Sequence, residues 1–198
     1  MTDDAAHAAV TADDWQRLAT AHAAYHEGAG GAYDEVLREV AARVAAEGSI
    51  GKADIGALVL WKRLRADTPW AYALMSLPDT AVRAVTAEAV AAVRDTALDR
   101  GTAARRGRAA LSPLPGFDRG DALASALLTA AAPDRMAVYD RRAHRGLDLL
   151  GLELDHRRGR YGRYMALLDR LLAAAPAPVR GWTARDLDTA LYGLVPSA

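Results

Sequence analysis

A chain of 198 residues, 52% of them hydrophobic, is long enough to bury a substantial core as one domain. It has no cysteine, which excludes disulfides, thiolate metal ligands and cysteine nucleophiles and predicts an intracellular, cytoplasmic protein. Formal net charge is zero but unevenly placed: residues 1–99 hold 9 basic and 15 acidic side chains, residues 100–198 hold 16 and 10.

Alternating β-branched runs are absent and Ala, Leu and Arg abound, so the chain is expected to be all-α. Residues 1–10 read as a flexible tail and 11–198 as a single domain. The start, Met1-Thr2-Asp3-Asp4, lacks an apolar signal region, and no apolar run reaches membrane-spanning length, so no membrane partner is expected. Thr11 with Asp14 forms a capping-box pattern that opens a helix carrying Trp15, Leu18, His22 and Tyr25, ended by Gly28, Gly30 and Gly31. A second helix, about 32–47, puts Tyr33, Val36, Leu37, Val40 and Val44 on one face, and Gly48 stops it. A third, near Lys52 to Arg65, carries Ile55, Leu58, Val59 and Trp61. Thr68-Pro69 opens a short helix through Met75. One long helix or two short ones follow Pro78 as far as Gly101, and 101–113 read as an exposed connection. Beyond lie a helix after Asp140 ending at Gly151, another over about 161–174, and a last one opened by the capping box Thr183 to Asp186.

The most informative stretch is 111–150. Leu114-Pro115-Gly116-Phe117-Asp118-Arg119-Gly120 is a tight turn, with two glycines suited to positive φ or close approach. After it, Leu123, Leu127 and Leu128 recur at helical spacing among alanines, which predicts a buried helix. Val138-Tyr139-Asp140-Arg141-Arg142 then opens the next segment.

In these residues the chain resembles the helix-hairpin-helix DNA glycosylase superfamily, in a divergent branch like the 8-oxoguanine DNA glycosylases. Leu114 to Phe117 matches the start of the family's L-P-G-x-G hairpin, Ala122 to Leu128 its apolar helix, and Val138 to Arg142 the segment with its catalytic aspartate. The likeness covers about residues 50–175. It implies that Asp140 is catalytic and that double-stranded DNA is the partner. It further implies that Leu114, Gly116, Phe117, Arg119 and Gly120, with Arg141 and Arg142, meet the DNA backbone. Asp118 stands where the family has its second hairpin glycine. Gly120 stands where bifunctional members carry a nucleophilic lysine, so the implied activity is monofunctional removal of a damaged or modified base.

Each candidate also has a plainer reading. Asp140 precedes a helix and suits an N-cap, a role compatible with stabilising positive charge on a deoxyribose ring. Arginines at 105, 106 and 108, at 141, 142 and 145, and at 157, 158, 160 and 163 either contact phosphates or solvate helices. Trp61, Trp70, Tyr72 and Tyr139 could form a slot that stacks on a flipped base, although aromatics at helical spacing usually belong to the core. Lys52 and Lys62 are the only lysines, so any Schiff-base chemistry would have to use one of them, although each reads more readily as a solvated helix residue. His144, four residues after Asp140, could bond that carboxylate or lie at the surface. His22 and His26 are one helical turn apart but show no third ligand, so neither a metal nor any other cofactor is expected. The alternatives are a non-catalytic protein keeping the fold to bind DNA or another partner, and a helical protein with no nucleic-acid role.

Overall fold

A computed structural model describes residues 10–28, 30–118 and 120–196. The expected tail therefore falls almost wholly outside the described residues, as does Arg119. Eleven α-helices and one 3-10 turn make up the described fold, with no β-strand among the described residues. No described helix is long and apolar enough to cross a membrane.

Helix α1 (Ala12–Glu27) starts at the expected capping box, in which Thr11 Oγ1 accepts from Asp14 N–H and the Asp14 carboxylate accepts from Thr11 N–H. The glycines after it open a separate short turn of helix, α2 (Gly30–Tyr33), which takes Tyr33 out of the next helix, α3 (Glu35–Glu47). Gly48, at φ 68°, closes α3 in the left-handed conformation that a residue without Cβ adopts at least cost. Helix α4 (Lys52–Trp61) stops four residues short of the expected end. There Arg63 takes φ 51°, the only described non-glycine residue with positive φ. Leu64 N–H bonds Val59 O and Arg63 N–H bonds Leu60 O, both at 2.9 Å, which is the paired closure of a Schellman turn. Helix α5 (Pro69–Met75) follows, as expected from Thr68-Pro69.

Two helices span the next segment, α6 (Asp79–Arg94) and α7 (Arg100–Ala110). The expectation of an exposed connection over 101–113 is therefore wrong for most of its length. Asp99 caps α7 by accepting from Thr102 N–H at 2.8 Å, and Gly101, Ala103, Ala104 and Gly107 are buried. The glycines serve contact rather than flexibility. A Cβ on Gly101 would lie 2.9 Å from Gly162 O, and one on Gly107 2.7 Å from Val93 Cγ1. Their absence lets α7 settle against α6 and against α10 (Arg160–Ala173).

At the centre lies α8 (Ala122–Ala131), in which every residue from Leu123 to Ala131 is buried, the arrangement expected of a helix apolar all round. Helices α3, α4, α6 and α7 pack around it. Helix α9 (Arg141–Asp148) follows Asp140. After α10, the 3-10 turn (Ala177–Val179) leads to α11 (Ala184–Leu194), which starts at the second expected capping box. Helix α11 packs against α1, α9 and α10, joining the two ends of the described chain.

Candidate functional site

Asp140 lies at the end of an extended segment that the core holds from behind. Tyr139 N–H donates to Ser125 Oγ at 3.0 Å, Val138 N–H to Asp188 Oδ2 at 3.2 Å, and Tyr161 O–H to Ala137 O at 3.0 Å. With the backbone fixed, the Asp140 carboxylate has a set orientation. Its Oδ1 accepts from Arg142 N–H at 2.9 Å and Ala143 N–H at 3.0 Å, so it is the N-cap of α9. Its Oδ2 accepts from Lys62 Nζ at 2.6 Å. Burial pushes the carboxyl up, but the Lys62 ammonium and the two backbone N–H groups outweigh it and hold Asp140 below the usual carboxylate range. The residue is thus held ionised at neutral pH.

This pair opens onto a cleft of about 890 Å³. Tyr25, Tyr33 and Trp61 line it on the side of the early helices, and Arg141, Arg142 and Arg160 on the other. Arg142 also donates to Val195 O and stacks on the Tyr192 ring at 3.9 Å. That leaves Arg141, which is exposed, as the freer cation of the two.

Beneath the cleft runs a buried charge network. Arg185 bonds both Asp188 and Asp34, and its guanidinium lies 5.5 Å from the Trp61 ring centroid. Asp34 also accepts from Tyr25 O–H at 3.1 Å and Trp61 Nε1 at 3.3 Å. Burial pushes Asp188 up to about 6, against the pull of Arg185 and with a further push from the Asp140 charge. A carboxyl raised in this way adds stability while protonated and loses it as pH rises through that value. Asparagine cannot titrate. Relative to Asp188→Asn, the parent protein should therefore be most favoured near about pH 4, with an advantage shrinking by on the order of 3 kcal/mol by about pH 7. Thermal unfolding of both proteins across that range checks this. A pH-independent difference would show an ordinary carboxyl.

The structure brings together only part of what the sequence singled out. Asp140, Tyr139, Arg141, Arg142, Gly120 and Trp61 line the cleft. Tyr139 O–H and His144 Nδ1 are hydrogen-bonded at 3.0 Å, so His144 does not serve Asp140 as one reading had it. Leu114 and Phe117 are buried, 3% and 1% exposed, so their side chains anchor the turn to the core, and their N–H groups bond Leu111 O and Leu114 O within the turn. Arg108 closes that turn by donating to Phe117 O and Gly120 O. Gly116, at φ 88°, is in contact with Trp70, where a Cβ would come 2.4 Å from the ring. Trp70 therefore packs on the turn and is not among the cleft-lining residues, a correction to its place in a base slot. Tyr72 is exposed.

Lys62 is the residue that sequence reasoning misjudged. Its side chain is 12% exposed and ion-paired, not solvated. It caps the C-terminus of α4, and the Schellman turn that follows places it across the cleft from α9. Nothing local in sequence signals a contact spanning 78 positions. The fold and site together define an all-α protein with an arginine-edged cleft built on a lysine–carboxylate pair. Comparison with protein-family models, with curated proteins and with solved structures finds no match.

Proposed function

We propose that the cleft cleaves the N-glycosidic bond of a damaged or modified base in double-stranded DNA. The observation that carries this reading is Asp140, held ionised on the N-terminus of α9 and facing a cavity large enough for an extruded base. A fixed carboxylate there would stabilise the positive charge that develops on the sugar as the base departs. Tyr25 and Tyr33, half-buried at the cleft wall in front of the buried Trp61 and Tyr139, offer aromatic surface to the base, and Arg141 and Arg160 offer charge to the phosphates. The resemblance of residues 111–150 to the helix-hairpin-helix glycosylases supports the same reaction class.

Lys62 favours a second version of this chemistry. The monofunctional expectation rests on Gly120 standing where the family has its lysine, yet an amine from α4 reaches the carboxylate by another route. As an ammonium it neutralises Asp140. After passing one proton to Asp140 it could attack C1′ as the C1′–base bond breaks, a second amine proton leaving with the base; cleavage of C1′–O4′, with the Asp140 proton passed to O4′, would then give the protonated imine of the opened sugar.

Duplexes each carrying one lesion or modified base test both versions, with free base and strand scission scored separately. Hydrolysis by way of Asp140 should release base without a borohydride-trapped complex. Attack by Lys62 should give a trapped complex that disappears in Lys62→Met. Absence of base release across a broad panel, with duplex DNA still bound in a salt-dependent manner, would put the non-catalytic binding reading first. Absence of DNA binding even at low salt would remove both.

A further inference from the structure

Outside the cleft, α1 and α11 bring together three side chains that the sequence left apart. We propose that His22, His26 and Asp186 bind a zinc ion that clasps α1 to α11. His22 Nε2 lies 3.2 Å from His26 Nε2 and 3.2 Å from Asp186 Oδ1, and the donor atoms of all three lie within 4.8 Å of one another. Two donors each about 2.05 Å from a tetrahedral zinc stand about 3.3 Å apart, so the two short separations are those of ligands sharing one ion.

Hydrogen bonding alone serves both contacts only if one His22 proton is shared between Asp186 and His26 in a three-centre bond. A neutral imidazole Nε2 carries either one proton or one lone pair. If His22 Nε2 is protonated and donates to Asp186, it has no lone pair to accept a bond from His26. If it accepts from His26, it faces the carboxylate with no proton between them. A cation taking one lone pair from each residue resolves both contacts.

The surroundings also resemble a ligand shell. The other Asp186 oxygen, Oδ2, accepts from Thr183 N–H and Thr183 Oγ1, both at 2.8 Å, which orients the carboxylate and leaves Oδ1 turned to the histidines. Trp182 lies against His22 with ring centroids 4.7 Å apart, covering one side of that imidazole. His22 and Asp186 are partly shielded, their side chains 20% and 31% exposed, while His26 is exposed and leaves room for water as a fourth ligand. Two imidazoles and one carboxylate form a nitrogen-rich set that suits zinc over calcium or magnesium. The expectation of no metal site failed to anticipate this set because its third ligand comes from 160 positions further along the chain.

None of the three residues lines the cleft, so the inference stands independently of the proposed reaction. The full chain, freed of metal by chelation and dialysis, would be titrated with zinc chloride by calorimetry and then melted with and without zinc. One equivalent should bind. At roughly a hundredfold excess of free zinc over its dissociation constant, Tm should rise by about 5–10 °C. Cobalt(II) in place of zinc should give the strong visible absorption of a four-coordinate ion. His26→Ala, at an exposed position, and Asp186→Asn, which keeps an oxygen for the Thr183 cap, should fold yet lose both the binding and the Tm rise. No stoichiometric binding, or zinc binding unchanged in both variants, would overturn the proposal.

Discussion

Asp140→Asn should lower base release by about 10²–10³-fold, the effect typical of removing one electrostatic group aimed at a transition state. Asparagine keeps the shape and an oxygen for the N–H groups of Arg142 and Ala143, and it caps helices about as well as aspartate. What it lacks is negative charge opposite a sugar turning cationic. Stability should also fall, because the largely buried Lys62 ammonium loses its counter-charge; about 1–3 kcal/mol is the cost of such an uncompensated group. Adding Lys62→Met should recover part of that stability without recovering turnover. Single-turnover base release, run beside DNA affinity and Tm, separates the two effects. Base release at the parental rate would show that Asp140 is a cap and nothing more.

Arg185→Met should produce the larger loss of stability. Asp188 is 2% exposed, and Asp34 shares the same guanidinium, so removing Arg185 leaves two carboxylates in the interior without their cation. Breaking a buried pair from one side costs about 3–5 kcal/mol, or roughly 6–20 °C in Tm for a chain of this size. Asp188→Asn in the same background should restore part of the loss by removing one stranded charge. A Tm within about 2 °C of the parent would mean that Asp188 takes up a proton or that water screens the network.

The elements most legible in the sequence were those with local causes. Thr11 with Asp14 and Thr183 with Asp186 each supply both halves of a capping box within four residues, and Gly48 marks the end of α3 through its own backbone preference. Asp140 was legible as a cap for the same reason. Helix α7 was misread because arginine and glycine together look like exposed loop. Gly101 and Gly107 are instead contact points with α10 and α6, and a close approach depends on partners distant in sequence. Leu114 and Phe117 were singled out through the likeness of their turn to a DNA-binding hairpin, although their apolar side chains had a simpler destination in the core. Lys62, Asp188 and Arg185 were not read as site residues, since their roles arise only when α4, α9 and α11 converge.

The left-handed turn at Arg63 gives the lysine–carboxylate pair a mechanical character. Holding a residue with a Cβ at φ 51° costs about 1 kcal/mol or more, a strain that the surrounding structure must hold in place. Because the chain reverses there, the amine is mounted on the end of one rod and the carboxylate on the start of another, with the 2.6 Å contact bridging them. A small tilt of α4 on the α8 floor would part the two groups without unwinding either helix. The separation of Lys62 from Asp140 is therefore a gauge of how far the jaws of the cleft stand open.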